Sequence, residues 1–247
     1  MTGSTLPRLA VPRLVLWRHG RTEWNAAGRF QGQLDPPLDA TGQKGAAAAA
    51  ARLVAAGLRP DGAVVVSSDL DRTVQTATAL TDLLGVPLRR DARLREHGMG
   101  CWEGLTRAEV AERYPQQYAD WTAGRPVRGR GGEDPAAVAE RALAALVDLP
   151  EASVAVVVTH GGTAGRLLER LLGLGSEHRR AFGPLDNCAW SELAEQGGRW
   201  RLLRHNVSAY PVPDGRVDGS PEAVPVSRPT DGRSEGARPA ADADAVL

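Results

Sequence analysis

The segment SVAVVVTHGG, residues 153–162, constrains the fold more than any other part of this chain. From Val154 to Val158 no side chain is polar, and all but Ala155 are β-branched. Such a run is a strand that hides both faces, as in a parallel sheet covered by helices on either side. A sheet with one wet face would show alternating apolar and polar residues instead. AVVVS (residues 63–67) has the same character, and LVLW (residues 14–17) is a third run of this kind.

Helical patterns separate these strands. ATGQKGAAAAAARLVAAG follows Asp39, a residue suited to cap a helix, and stops at Gly57. Its alanines favour a helix and leave room for close packing. DLDRTVQTATALTDLLG closes at Gly85, while LTRAEVAERYP and QQYADWTAG predict two short helices broken at Pro115 and Gly124. In EDPAAVAERALAALVDLP, Asp134 is the cap and Pro135 the first helical residue. TAGRLLERLLG is a further helix, and CAWSELAE with RWRLLRHN reads as an antiparallel pair across QGG. The expected fold is a three-layer α/β/α arrangement, with a mostly parallel central sheet and one antiparallel edge.

One domain over residues 13–210 is expected, after an N-terminal extension (residues 1–12). A lid is expected at about residues 105–132 of it. The tail, residues 211–247, is rich in Pro, Gly, Ser and Asp and is expected to be disordered, with no catalytic part. Thirty basic residues balance thirty acidic ones, so no overall field draws the chain to nucleic acid or to anionic lipid. No apolar run has the length of a signal peptide or a membrane span, and a cytoplasmic enzyme or binding protein follows. Cys101 and Cys188 stand far apart and outside any C-x-x-C pattern, which predicts buried, reduced thiols.

Chemistry gathers at the strand ends. Arg18-His19-Gly20 follows LVLW, His160-Gly161-Gly162 follows the Val154 strand, and Arg72 lies in the first turn of the helix after AVVVSSDL. In an open α/β sheet, ligands bind beyond the carboxyl ends of the strands, so these residues are expected to converge there. Two arginines repel a metal cation and grip a phosphate through paired hydrogen bonds. Helix N-termini near Leu70 and Thr163 add backbone donors. A neutral imidazole is a competent nucleophile, and the guanidinium groups beside it are expected to keep His19 unprotonated. Ser67 and Ser68 lack a G-x-S-x-G elbow. A departing alkoxide also needs an acid, and LREHGMGCWEGLT offers two. Glu96 follows PLRRDARLR, where a strand end would turn it into the crevice, whereas Glu103 is expected at a helix entrance. His97 and His205 read as structural residues and His178 as a surface one.

RHGRTEWN, FQGQLDPPL, SSDLDRTVQTA, LREHGMGCWEGLT, GGE and VTHGG occur here in the order in which they occur in the histidine phosphatase (phosphoglycerate mutase-like) superfamily. The resemblance runs from about Leu14 to His205. It implies that His19 is a nucleophile forming phosphohistidine, that Arg18, Arg72 and His160 hold the phosphoryl group, and that Glu96 donates the proton. It also implies that Asn25, Gln31, Gly32 and Gly161 help bind phosphate, and that no metal or cofactor takes part. By this reading Gly20 gives the turn room beside the anion.

The segment after Glu96 is REHGMGCWEG, where mutases of the superfamily carry an RHYG-type sequence and a long lid, so the chain resembles the phosphatase branch. A small phosphorylated metabolite is the partner this implies. Several stretches, NCAWSEL and RWRLLRHNVSAYPV among them, are similar to actinobacterial glucosyl-3-phosphoglycerate phosphatases. The α-ribazole phosphatases and broad phosphomonoesterases share most of the same motifs. In the lid, Tyr114, Tyr118 and Trp121 are expected to pack on the core. Arg125, Arg128 and Arg130 either meet a second anionic group such as a carboxylate or line a solvated loop. Antiparallel edge strands can also pair across a two-fold axis, which allows a homodimer.

Overall fold

The computed structural model describes residues 6–175, 178 and 181–209, so the tail expected to be disordered lies outside the described residues. Six strands form one sheet: β1 (Arg13–Arg18), β2 (Ala63–Ser67), β3 (Leu88–Arg90), β4 (Val154–Thr159), β5 (Trp190–Gln196) and β6 (Arg199–Val207), in the order β3-β2-β4-β1-β5-β6. The first four run parallel, with Leu14 opposite Ala155 and Ala63 opposite Val154. Strands β5 and β6 add the expected antiparallel edge. They turn through Gly197 and Gly198, whose φ values of 64° and 78° are left-handed, as a two-residue hairpin loop requires.

The apolar runs bury both faces, and strand periodicity divides them between two cores. Leu14, Leu16, Val64, Val66, Ala155 and Val157 join the layer under α6 (Pro135–Val147) and α7 (Gly161–Leu172). Val15, Trp17, Val65, Val156 and Val158 face α2 (Ala40–Ala55) and α3 (Asp71–Leu84) on the other side. The cap residues read from sequence act as expected. Asp39 accepts from Gly42 N at 2.7 Å, Asp134 accepts from Ala136 N at 2.8 Å, and Gly85 closes α3 in the left-handed conformation.

The alanine tract sets Ala46, Ala49 and Ala50 into the second core and brings α2 close to the sheet. Its first turn is closer still: a Cβ on Gly42 would lie 2.0 Å from the Arg21 carbonyl oxygen, and one on Gly20 would lie 2.6 Å from the Gly42 carbonyl oxygen. Gly20 therefore makes room for α2, a role the sequence reading did not give it. Gly42→Ala is expected to cost about 2–4 kcal/mol, since backbone on both sides must shift. Urea unfolding measures it, and an unchanged midpoint would contradict this packing.

Two features depart from expectation. The Glu96 run does not arrive as a strand: β3 holds three residues, then Asp91 accepts from Arg93 N at 2.8 Å and nucleates a 3-10 turn over Ala92–Leu94. The polar loop after β1 also holds a one-turn helix, α1 (Glu23–Ala26), closed by a capping box between Thr22 and Asn25. The segment beyond Glu96 carries α4 (Arg107–Arg113) and α5 (Pro115–Thr122), Pro115 starting the second helix where the sequence predicted a break. Tyr114, Tyr118 and Trp121 pack on a separate small core of Phe30, Met99, Trp102 and Val110.

Candidate active site

Strand β1 ends in a fully buried Arg18, and His19 follows it, also fully buried. The His19 amide donates to Thr159 O at 3.0 Å, which ties the ends of β1 and β4 together. His160, next along from Thr159, is the N-cap of α7 and fully buried. The two imidazole rings meet edge to face, with centroids 5.2 Å apart. Arg72 enters from the first turn of α3, also without exposure.

The Gly20 carbonyl accepts from His19 Nδ1 at 2.7 Å, because a carbonyl can only accept. That bond places the ring proton on Nδ1 and leaves the lone pair on Nε2. The buried Nε2 has no hydrogen-bond partner among the described residues, and neither has either nitrogen of His160. Burial holds the His19 pKa well below its usual value, with Arg72 and then Arg18 adding to the shift and the Gly20 bond opposing it. His160 is lowered in the same way, by burial first and then by Arg72, His19, Arg18 and Arg141. Removal from water therefore keeps His19 neutral more than the adjacent guanidinium groups do, which refines the sequence reading.

Both rings are neutral in the folded chain, whereas in the unfolded chain they titrate near 6.5. Below that pH the unfolded state binds more protons, so stability is expected to fall as pH drops through about 6.5 and to level off above it. Two buried rings give a slope of up to about 2.7 kcal/mol per pH unit. His97, lowered mainly by burial, acts in the same direction. Urea titrations at about pH 5.5 and about pH 7.5 measure this, and equal stability at both would contradict two rings buried in the neutral form.

The guanidinium groups are held by backbone carbonyls. Arg18 Nη1 donates to Leu185 O at 2.7 Å, and Arg72 donates to Leu34 O at 2.6 Å and Gly32 O at 2.8 Å. Asp35 lies 3.5 Å from Arg72 and also accepts from the Asp71 amide at the head of α3. Gly32 thus meets Arg72 through its carbonyl. Its φ of 51° and the Glu103 carboxylate, 2.2 Å from where a Cβ would be, restrict this position to glycine. Glu103 does not stand at a helix entrance. It accepts from Met99 N at 2.8 Å, and Glu109 completes the cap of α4 instead.

Asn25 and Gln31 are both buried and meet through Thr22, whose hydroxyl is 3.1 Å from Asn25 Oδ1 and 2.9 Å from Gln31 Oε1. Glu96 is buried at the head of α7. Its Oε1 accepts from His97 N (2.7 Å), Thr163 N (2.9 Å) and Thr163 Oγ1 (3.2 Å), while Oε2, among the described residues, accepts only from Gly162 N at 3.1 Å. Gly161 begins that helix. A Cβ on Gly162 would lie 2.7 Å from Glu96 Oε1, so HGGT is small for the sake of the carboxylate.

Sequence reasoning missed several supports. Asn187 Nδ2 donates to His19 O at 3.2 Å and approaches Asn25 Oδ1 at 3.4 Å, and the only hint was its place in the loop before β5. Arg141 of α6 donates to Arg93 O, Arg95 O and Glu96 O and pairs with Glu133 of the GGE motif at 2.8 Å. Burial would raise the Glu133 carboxyl, but Arg141 and the Gly98 amide outweigh it and bring it down. Cys188 is buried with its thiol pushed up to about 12, whereas Cys101 is exposed, contrary to expectation. His97 and His205 make the structural contacts expected, with Glu133 O (2.8 Å) and with Ser191 Oγ (2.9 Å) and Gly183 O (2.7 Å).

Fold and site together define an α/β protein with two arginines and two neutral histidines gathered at the carboxyl ends of adjacent parallel strands. The histidine phosphatase superfamily (branch 1) matches residues 14–208, and the chain belongs to that family. It is 37% identical over 227 residues to the glucosyl-3-phosphoglycerate phosphatase of Mycolicibacterium vanbaalenii, covering 83% of this chain and 99% of that one. It is 38% identical over 195 residues to a probable phosphoglycerate mutase, GpmB, of Serratia proteamaculans, covering 76% and 87%. The solved structure of a mycobacterial glucosyl-3-phosphoglycerate phosphatase with VO3 superposes with a TM-score of 0.72 at 37% identity, covering 80% of this chain and all of that one. Among the described residues, no helix is long and apolar enough to cross a membrane.

Proposed function

We propose that this chain hydrolyses a phosphomonoester through a phosphohistidine on His19, without a metal ion. The observation that carries the reading is the His19 ring: Nδ1 is committed to Gly20 O, and Nε2 is buried, neutral and without a partner among the described residues. Nε2 attacks phosphorus, an N–P bond forms, and the bond from phosphorus to the ester oxygen breaks. Arg18 and Arg72 hold the phosphoryl oxygens as charge develops, with His160 beside them. Glu96 gives its proton to the departing alkoxide. Oε2, the oxygen with the single long hydrogen bond, is the one assigned to that transfer, while Oε1 anchors the carboxyl to α7. Water then attacks the phosphohistidine, Glu96 takes a proton from it, the N–P bond breaks, and inorganic phosphate leaves. Asn25 and Gln31 complete the anion site, and Gly161 begins the helix that brings its N-terminal dipole to it.

Residues 105–132 form the lid in this reading, on a domain spanning residues 13–210. The substrate is a small phosphorylated metabolite met in the cytoplasm. The similarity to glucosyl-3-phosphoglycerate phosphatases supports glucosyl-3-phosphoglycerate as the first candidate. The mutase-named relative supports the second reading, phosphoryl transfer in place of hydrolysis. Strand β6 ends the sheet among the described residues, which allows a homodimer. Phosphate release with EDTA present decides the reaction, on p-nitrophenyl phosphate, 3-phosphoglycerate, glucosyl-3-phosphoglycerate and α-ribazole phosphate. Release from at least one ester is expected. Absence of release alongside isomerisation of 3-phosphoglycerate would replace hydrolysis with the mutase reading.

A further inference from the structure

One guanidinium outside the phosphate site uses every donor it has. Arg141, on α6, carries five N–H groups, and each meets an acceptor. Nη1 donates to Arg93 O at 2.6 Å and to Arg95 O at 2.7 Å, and Nη2 donates to Glu96 O at 3.0 Å. Nη2 also donates to Glu133 Oε2 at 2.8 Å, and Nε to Glu133 Oε1 at 2.9 Å. Glu133 in turn accepts from the Gly98 amide at 2.7 Å, and its own amide donates to Gly98 O at 2.9 Å. His97 Nε2 donates to Glu133 O at 2.8 Å. The Arg141–Glu133 pair therefore grips the chain at residues 93, 95 and 96, and again at residues 97 and 98.

That stretch has no ladder of its own. The 3-10 turn ends at Leu94, and from Glu96 to Met99 the backbone belongs to no helix or strand. Such a loop opens easily, and an acid displaced by about 1 Å costs on the order of 10^2-fold in rate. Two helices of one core layer hold it instead. α7 fixes the Glu96 carboxyl through Gly162 N and Thr163 N, and α6 fixes the Glu96 backbone through Arg141. Bonds from a guanidinium suit the task, being about twice as strong as those from a neutral donor. We infer that Arg141 and Glu133 form one positioning unit that aims the Glu96 proton donor at the leaving-group oxygen, an assignment that rests on the phosphomonoesterase reading above. Losing the unit is felt most where the departing oxygen is most basic, because such an oxygen needs the proton as its bond to phosphorus breaks.

The test compares kcat/KM for phenyl phosphate and p-nitrophenyl phosphate, whose leaving groups differ far more in basicity than in shape. It uses wild-type protein and the Glu96→Gln, Arg141→Met and Glu133→Gln variants. kcat/KM reports the step that forms phosphohistidine, so slower hydrolysis of that intermediate does not enter the ratio. Arg141→Met and Glu133→Gln are each expected to lower phenyl phosphate relative to p-nitrophenyl phosphate by about tenfold or more, the direction in which Glu96→Gln moves the ratio. In a Glu96→Gln background, Arg141→Met is expected to move the ratio no further. A loss shared equally by the two esters, as a merely structural role would give, overturns the positioning unit and leaves the phosphomonoesterase reading standing. A further fall in the Glu96→Gln background overturns it as well. Should Arg141→Met fail to fold, Glu133→Gln, alone and combined with Glu96→Gln, decides. A ratio that Glu96→Gln leaves unmoved removes the proton donor, and the unit with it. Silence of the wild type on both esters overturns the phosphomonoesterase reading, and the positioning unit falls too.

Discussion

His19→Ala is expected to lose turnover and phosphoenzyme together, by on the order of 10^4-fold or more in kcat. His160 does not replace it. It lies 5.2 Å away centroid to centroid, and no hydrogen bond from the described residues fixes either of its nitrogens as the proton-bearing one. The variant is expected to fold, since removing the ring leaves one carbonyl, Gly20 O, without its donor, a loss of about 1–3 kcal/mol. Thermal unfolding separates that cost from the catalytic one. Rapid-quench trapping of phosphoenzyme in the wild type, with none in the variant, is the expected pair of results. Turnover in the variant within about tenfold of wild type would remove His19 from its assigned role.

Arg72→Met is expected to have the second largest effect, and it acts on binding and folding at once. Losing one preorganised cation from a dry site costs on the order of 10^3-fold in kcat/KM. The buried Gly32 O loses its donor at about 1–3 kcal/mol, and the half-buried Leu34 O loses its donor at less than that. Arg72→Lys is expected to recover little. A single ammonium cannot span both carbonyls and still face an anion, whereas the guanidinium fork can. Arg72 is also the first-ranked charge lowering both histidines, so its removal should move the acidic limb of the kcat/KM profile upward in pH. Wild-type kcat/KM in Arg72→Lys would show that the fork is not needed.

The elements were legible in the sequence where the signal is local. The unbroken valine runs fixed the buried strands, Asp39, Asp134 and Gly85 fixed helix ends, and QGG fixed the hairpin, because each depends on a few neighbouring residues. Convergence of Arg18, His19, Arg72 and His160 was also legible, since a parallel sheet has only one edge where its strands end. Glu96 does not arrive by the route the sequence suggested. It reaches the site from a 3-10 turn and is held by the amides of α7, not aimed by a strand.

Tertiary structure alone decided the rest. The carbonyls that hold Arg18 and Arg72, the Asn187 link between His19 and Asn25, and the Arg141–Glu133 brace behind Glu96 join residues far apart in the chain. No pattern in a short window encodes such partners. The same holds for Gly20, whose missing side chain answers to the Gly42 backbone, for Gly42, whose missing side chain answers to the Arg21 backbone, and for Arg130, which composition could not tell from its exposed neighbours. Periodicity and capping are properties of a segment, and they can be read from it. Burial, and the charge state that burial imposes on two histidines, belong to the packed whole.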